Sequence, residues 1–179
     1  MTDPLPELVL PIEKRDHVLG PLGARYTLVE YGDYESVHCR GAVGVVRALV
    51  RELEDDLCVA FRNFPQPKVH LRSQAAAEAA EAAGMQGKFW LMHDRLFDHQ
   101  GSLTDRDLRD IARSLPIEMA DFERDIASVE ARRRVAEDVE FASEDGVGDT
   151  PTFFVNGTLH VGKYEFEPLL RALTAGKQT

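Results

Sequence analysis

The sequence predicts an α/β fold: a central mixed β-sheet flanked by helices, with an all-helical block inserted between the two halves of the sheet. Three observations carry this reading. Residues 26–31 and 57–64 are β-rich apolar runs separated by one amphipathic helical pattern, the spacing of a parallel βαβ unit. Residues 152–161 hold two short β-rich runs joined by Asn156-Gly157, a strong two-residue hairpin turn. Between them, over residues 66–145, the apolar repeats are helical.

The first two dozen residues are rich in proline and charge, with Gly20-Pro21-Leu22-Gly23 as punctuation. They read as an irregular arm with a short edge strand near His17-Val18-Leu19. The run 26–31 reads as an inner strand. From 39 to 54, Ala42, Val43, Val45, Val46, Leu49, Val50 and Leu53 repeat as one face of a helix packed on a sheet. Gly41 and Gly44 cost that helix stability and are expected to allow close approach of another element. The run 57–64 is apolar on both faces, as in a strand covered on both sides, and Cys58 within it reads as a small buried residue.

The helical block follows. Ser73 is expected to open an alanine-rich helix over 74–83 and Gly84 to close it. The next helix spans 88–99, with Phe89, Leu91, Met92, Leu96 and Phe97 mostly inward and His93 a packing residue beside Trp90. Thr104 caps a helix over 105–114, whose Asp105, Asp107 and Asp110 form a solvated face. Two amphipathic stretches run over 119–127 and 131–144, and a last helix over 166–173. With no internal repeat and no dividing linker, residues 1–179 read as one domain.

A formal net charge of −10 argues against binding driven by nucleic-acid phosphates or anionic membrane surfaces. The dense basic run Arg132-Arg133-Arg134 is surrounded by acids and reads as a solvated helix face. No apolar stretch approaches the ~20 residues of a membrane span. Residues 1–7 lack a basic segment followed by an apolar one, so a cytoplasmic location with reduced cysteines is expected. His70, His93, His99 and His160 form no metal-ligand spacing, and Gly84, Gly87 and Gly101 form no phosphate loop, so neither a metal nor a resident cofactor is expected.

The segment Asp33-Tyr34-Glu35-Ser36-Val37-His38-Cys39-Arg40 joins the first inner strand to the first helix. It follows Leu28-Val29-Glu30-Tyr31-Gly32. Further on come Arg62-Asn63-Phe64-Pro65, Ala79-Ala80-Glu81-Ala82-Ala83-Gly84, Gln86-Gly87-Lys88-Phe89-Trp90 and Thr150-Pro151-Thr152-Phe153-Phe154. In their joint order these landmarks resemble the DsbA-like branch of the thioredoxin superfamily, over nearly the whole chain. The likeness is to bacterial members that have this domain alone or fused to sodium/proton antiporters; the sequence holds no antiporter part. The resemblance implies a thioredoxin fold with a helical insertion and thiol-disulfide oxidoreductase chemistry. It places Ser36 at the nucleophilic cysteine position, Cys39 at the resolving position and Val37-His38 between them. It makes Pro151 the cis-proline facing the motif and Thr150 the residue whose backbone pairs with a bound peptide. Asp149 sits where glycine is more usual.

The dithiol cycle needs a thiolate at the helix N-terminus to attack a disulfide, and a second thiol to resolve the mixed disulfide. A serine hydroxyl does not exchange with disulfides, and it stays protonated without a base. His38 is its sequence neighbour, but residues so placed seldom form a base–nucleophile pair. Cys39 is therefore either a monothiol site, an oxidation-sensitive thiol or an inert core residue. The resemblance offers two further readings. Ser36 could hold the thiolate of glutathione, as in kappa-class transferases and related isomerases, or the domain could be a non-catalytic interaction module. Ser36 is equally suited to act only as a helix N-cap. The expected ligands are a thiol-containing or extended peptide, or glutathione.

Overall fold

The computed structural model describes residues 5–175. Residues 1–4, on which part of the reading of the N-terminal segment falls, and 176–179 lie outside the described residues. The first sheet elements are β1 (His17–Leu19), β2 (Tyr26–Gly32) and β3 (Leu57–Asn63), with helix α1 (Val37–Leu53) and a single 3-10 turn (Glu54–Asp56) between the last two. Helices α2 (Ser73–Gly84), α3 (Phe89–Asp98), α4 (Asp105–Arg113), α5 (Met119–Ile126) and α6 (Val129–Glu144) follow, then β4 (Thr152–Val155), β5 (Thr158–Leu159) and α7 (Phe166–Thr174).

The strands lie in the order β1-β3-β2-β4-β5. The β2–β3 pair is parallel in the register Tyr26 to Leu57 through Gly32 to Asn63, as the βαβ spacing predicts. β4 runs antiparallel to β2, and β1 antiparallel to β3, so the sheet is mixed. Asn156 and Gly157 take φ of 50° and 87°, the left-handed geometry that a tight hairpin between β4 and β5 requires. β5 ends at Leu159, short of the expected Val161, although the His160 amide still bonds the Phe153 carbonyl at 2.8 Å, one more rung of the same pairing. The arm lies along this edge: Leu8 N–H donates to Gly157, and Leu159 N–H donates to Pro6.

Period-2 alternation divides β2 between two cores. Tyr26 and Leu28 face α1 and α7 with Leu49, Leu169 and Leu173, whereas Val29 and Tyr31 face Ala142 and Phe154 on the other side. A third apolar cluster fills the helical block around Met92, Leu96, Leu108 and Phe122, and reaches the sheet through Phe61 and Tyr34.

Local expectations change at Ser73, at Gly41 and Gly44, and in the basic run, whereas Gly84 closes its helix as expected. Ser73 is not the cap of α2: Arg72 occupies that position, and the Ser73 hydroxyl turns back to the His70 carbonyl at 2.8 Å. Gly84 is the last residue of that helix, and its bare Cα faces the His17 ring, 2.8 Å from where a Cβ would sit. Gly41 and Gly44 approach nothing; both lie on the exposed face of α1. The basic run is split as well. Arg133 pairs with Glu130 and Glu137 on the surface, but Arg134 turns inward to Glu81 and Asp138.

Candidate functional site

Helix α1 begins one residue after Ser36, so Ser36 is its N-cap with extended backbone (φ −71°, ψ 117°). Its Oγ accepts the Cys39 amide at 3.3 Å, satisfying one of the free first-turn donors. The hydroxyl makes a long contact, 3.5 Å, to the Thr150 carbonyl. The cap is buried, with Ser36 only 4% exposed. The loop before it is held by Asp33, whose Oδ1 accepts the Glu35 amide while Oδ2 takes the Gln66 amide and His70 Nδ1, each at 2.8–2.9 Å. Gln100 closes the other side, its amide donating to the carbonyls of Tyr34 and Ser36 at 2.9 and 2.7 Å. Gln100 carries no signal in the sequence, because its role depends on a loop sixty-odd residues away meeting the cap.

Cys39 sits in the first turn of α1 with no exposed surface, and its sulfur accepts the Asp33 amide at 3.4 Å. Burial, followed by the charge of Glu30, pushes its thiol from 9.0 up to about 12; the Asp33 amide and the Ser36 and Thr150 side chains pull the other way without prevailing. Cys58 is also a free, buried thiol, held up by burial and by Asp16. Glu30 was hidden in the apolar run 26–31. The alternation that turns Leu28 toward α1 turns Glu30 the same way, and that is the signal that could have found it. It is 4% exposed, its Oε1 has no hydrogen-bond partner, and burial pushes its carboxyl from 4.5 up to about 8.

The Thr150–Pro151 peptide bond is cis, and the segment leads directly into β4 beside β2. Both backbone polar groups of Thr150 are engaged: its N–H donates to Asp149 Oδ1 at 2.8 Å, and its carbonyl receives the Ser36 hydroxyl. Val37 is 70% exposed at the helix tip. His38 is exposed too, and its Nδ1 lies 3.4 Å from the Tyr164 hydroxyl. The structure thus brings Ser36, Cys39 and Thr150 into mutual contact and turns Val37 and His38 outward.

His93 is buried among Tyr34, Phe61, Phe97 and Trp90, with Nδ1 3.2 Å from the Tyr34 hydroxyl. Burial, then Arg47 and His17, lower it to about 3, so it packs as a neutral ring. On the far face of the sheet, Arg62 is wholly buried. It donates to Asp16 at 2.9 Å, to the Tyr31 hydroxyl at 3.1 Å and to the carbonyls of Leu10 and Pro11. These bonds fasten the arm to β3.

The thioredoxin family profile matches residues 13–175. The chain belongs to the thioredoxin family. Its fold is that of the DsbA-type oxidoreductases. A thioredoxin-like oxidoreductase from Silicibacter pomeroyi is 29% identical with a TM-score of 0.80, covering 89% of this chain and 91% of that one. Oxidised BdbD from Bacillus subtilis superposes at TM-score 0.82 with 23% identity, over 96% of this chain and 97% of its own. Two Na(+)/H(+) antiporters named NhaA 1 carry related sequence. The Salinispora arenicola protein is 45% identical over 170 residues, and the Mycolicibacterium vanbaalenii protein 40% over 175. The matches take in 94% and 96% of this chain but only 26% and 28% of those relatives, so the chain spans about a quarter of their length.

Proposed function

We propose that this chain is a divergent DsbA-like protein that engages a thiol-bearing or extended peptide ligand beside Thr150 and Pro151, with weak or no dithiol activity. One observation carries the reading: an oxygen, on Ser36, caps α1, and the thiol of Cys39 three residues on is fully buried. A dithiol cycle needs a thiolate at that cap. Ser36 supplies none, and it lacks a base, since His38 faces solvent and Tyr164 instead. Cys39 retains its proton at neutral pH and offers no surface to attack.

What remains is a helix N-terminus with its partial positive charge and a backbone edge at Thr150. A peptide that pairs with Thr150 takes the N–H now held by the Asp149 carboxylate, so Asp149 sets a threshold for binding. Glutathione belongs to the same ligand class, but to be held as a thiolate by Ser36 it must displace the Thr150 carbonyl from that hydroxyl.

Ser36→Cys tests the placement. In redox titration the introduced thiol forms a disulfide with Cys39, and the variant gains insulin-reducing activity that the wild type lacks. A wild type that reduces insulin readily, or a variant whose two thiols never pair, sinks the reading.

A further inference from the structure

We propose that Asp149 selects the bound peptide by charge: the favoured ligand is an extended segment with a lysine or arginine flanking the residue that pairs with Thr150. The inference rests on the reading of the Thr150 edge as a peptide site, and it adds the chemistry of what that site takes.

The chain answers both backbone groups of Thr150 from within. The Ser36 hydroxyl donates to its carbonyl over a long 3.5 Å, and its N–H donates to Asp149 Oδ1 at 2.8 Å. The second bond is the stronger, because it is short and its acceptor is charged. A strand that adds to an edge offers a backbone carbonyl to such an N–H. The Asp149 carboxylate stands where that carbonyl would go. Thr150 is buried, with 5% of its surface exposed, whereas Asp149 beside it is exposed. The group held against the N–H thus belongs to a surface side chain. The backbone of Asp149 is fixed separately, its carbonyl accepting the Thr152 hydroxyl at 2.7 Å at the start of β4. An incoming strand therefore displaces the carboxylate and leaves it next to the ligand.

The exchange is uneven for a neutral peptide. It replaces a charge-assisted bond by a neutral one, and the freed carboxylate gains nothing but water. No cation of this chain answers it. His38 turns to Tyr164, and among the described residues Asp149 has no ion-pair partner. Glu35, just before the cap, is a second acid without one; its Oε2 accepts the Arg72 amide. A lysine or arginine on the ligand supplies the missing charge through a long, flexible stem. The formal net charge of −10 acts in the same direction, drawing a cationic segment in and holding an acidic one off.

The probes are fluorophore-labelled, end-blocked heptapeptides of alternating threonine and valine. One inner position at a time is lysine, glutamine or glutamate, and binding is read by anisotropy. At the lysine position that binds best, wild type should prefer lysine over glutamine about threefold and over glutamate about tenfold, the range of a solvent-exposed ion pair and its like-charge counterpart. The preference should narrow in roughly 0.5 M salt. Asp149→Asn keeps a side-chain oxygen for the Thr150 amide and should bring the three peptides within about twofold of one another. Asp149→Lys should reverse the order. Asp149→Gly removes the competing acceptor and should bind the glutamine peptide about fivefold more tightly than wild type does. The proposal is overturned if wild type binds all three peptides alike, if Asp149→Asn keeps the wild-type order, or if Asp149→Lys still favours lysine. It is also overturned if Asp149→Gly binds the glutamine peptide while wild type binds no lysine peptide, a result that leaves the Thr150 edge standing as a peptide site. If neither protein binds any peptide at millimolar concentration, that edge is not a peptide site and the proposal falls with it.

Discussion

The burial of Cys39 makes a quantitative prediction about its reactivity. In a Cys58→Ala background Cys39 is the only thiol of the chain. Moving its pKa from 9.0 to about 12 reduces the thiolate fraction about a thousandfold at any pH below 9. A more basic thiolate is also a better nucleophile. With a Brønsted slope near 0.45, that recovers roughly twentyfold toward an aromatic disulfide reagent. Ionisation alone therefore slows labelling about fiftyfold relative to the unfolded chain. The absence of exposed surface adds the free energy of a local opening, which takes the expected ratio beyond about a hundredfold. The assay is the absorbance time course with such a reagent at neutral pH, in buffer and in denaturant. A native rate within tenfold of the unfolded one would refute the argument, and would make Cys39 a working monothiol.

Two further outcomes follow from buried groups. Asp16→Ala strips Arg62 of its carboxylate partner and leaves a buried guanidinium, so the urea midpoint should report a loss of about 3–5 kcal/mol; a loss below about 1 kcal/mol contradicts the pairing. Glu30 keeps its proton in the native state up to about pH 8 but loses it above 4.5 when unfolded. Its contribution is therefore fully present below pH 4.5 and is lost as pH rises through 8. Glu30→Gln removes that dependence, so the stability difference in favour of the variant should grow by roughly 4 kcal/mol between pH 5 and 8. A difference that stays constant with pH shows that Glu30 is not buried as a neutral acid.

Much of the fold was legible because it rests on period. The apolar repeat of 42–53 and the two β-rich runs leave little alternative to a parallel βαβ unit, and Asn156-Gly157 specifies its turn by backbone geometry alone. Ser36 was readable as a cap from its residue type and place. The polar interior was not readable in this way. Arg62, Arg134 and Asp138 gain their meaning from partners on elements far apart in sequence, and composition does not name partners. Gly41 and Gly44 misled for the opposite reason. A glycine that permits contact and one that merely faces water look alike in a string of letters.

The arm along β5 has a consequence for how the molecule meets its own copies. A sheet ending in an open row of amides and carbonyls invites a second strand from any chain nearby. Here Leu8 and Pro6 exchange backbone bonds with the β4–β5 hairpin, and Glu7 bridges Thr158. Arg62 in turn holds the arm through Leu10 and Pro11. The guanidinium buried in the interior thus acts at a distance as a guard against aggregation. It keeps a stretch of irregular chain laid over the border where sheets from separate molecules would otherwise fuse.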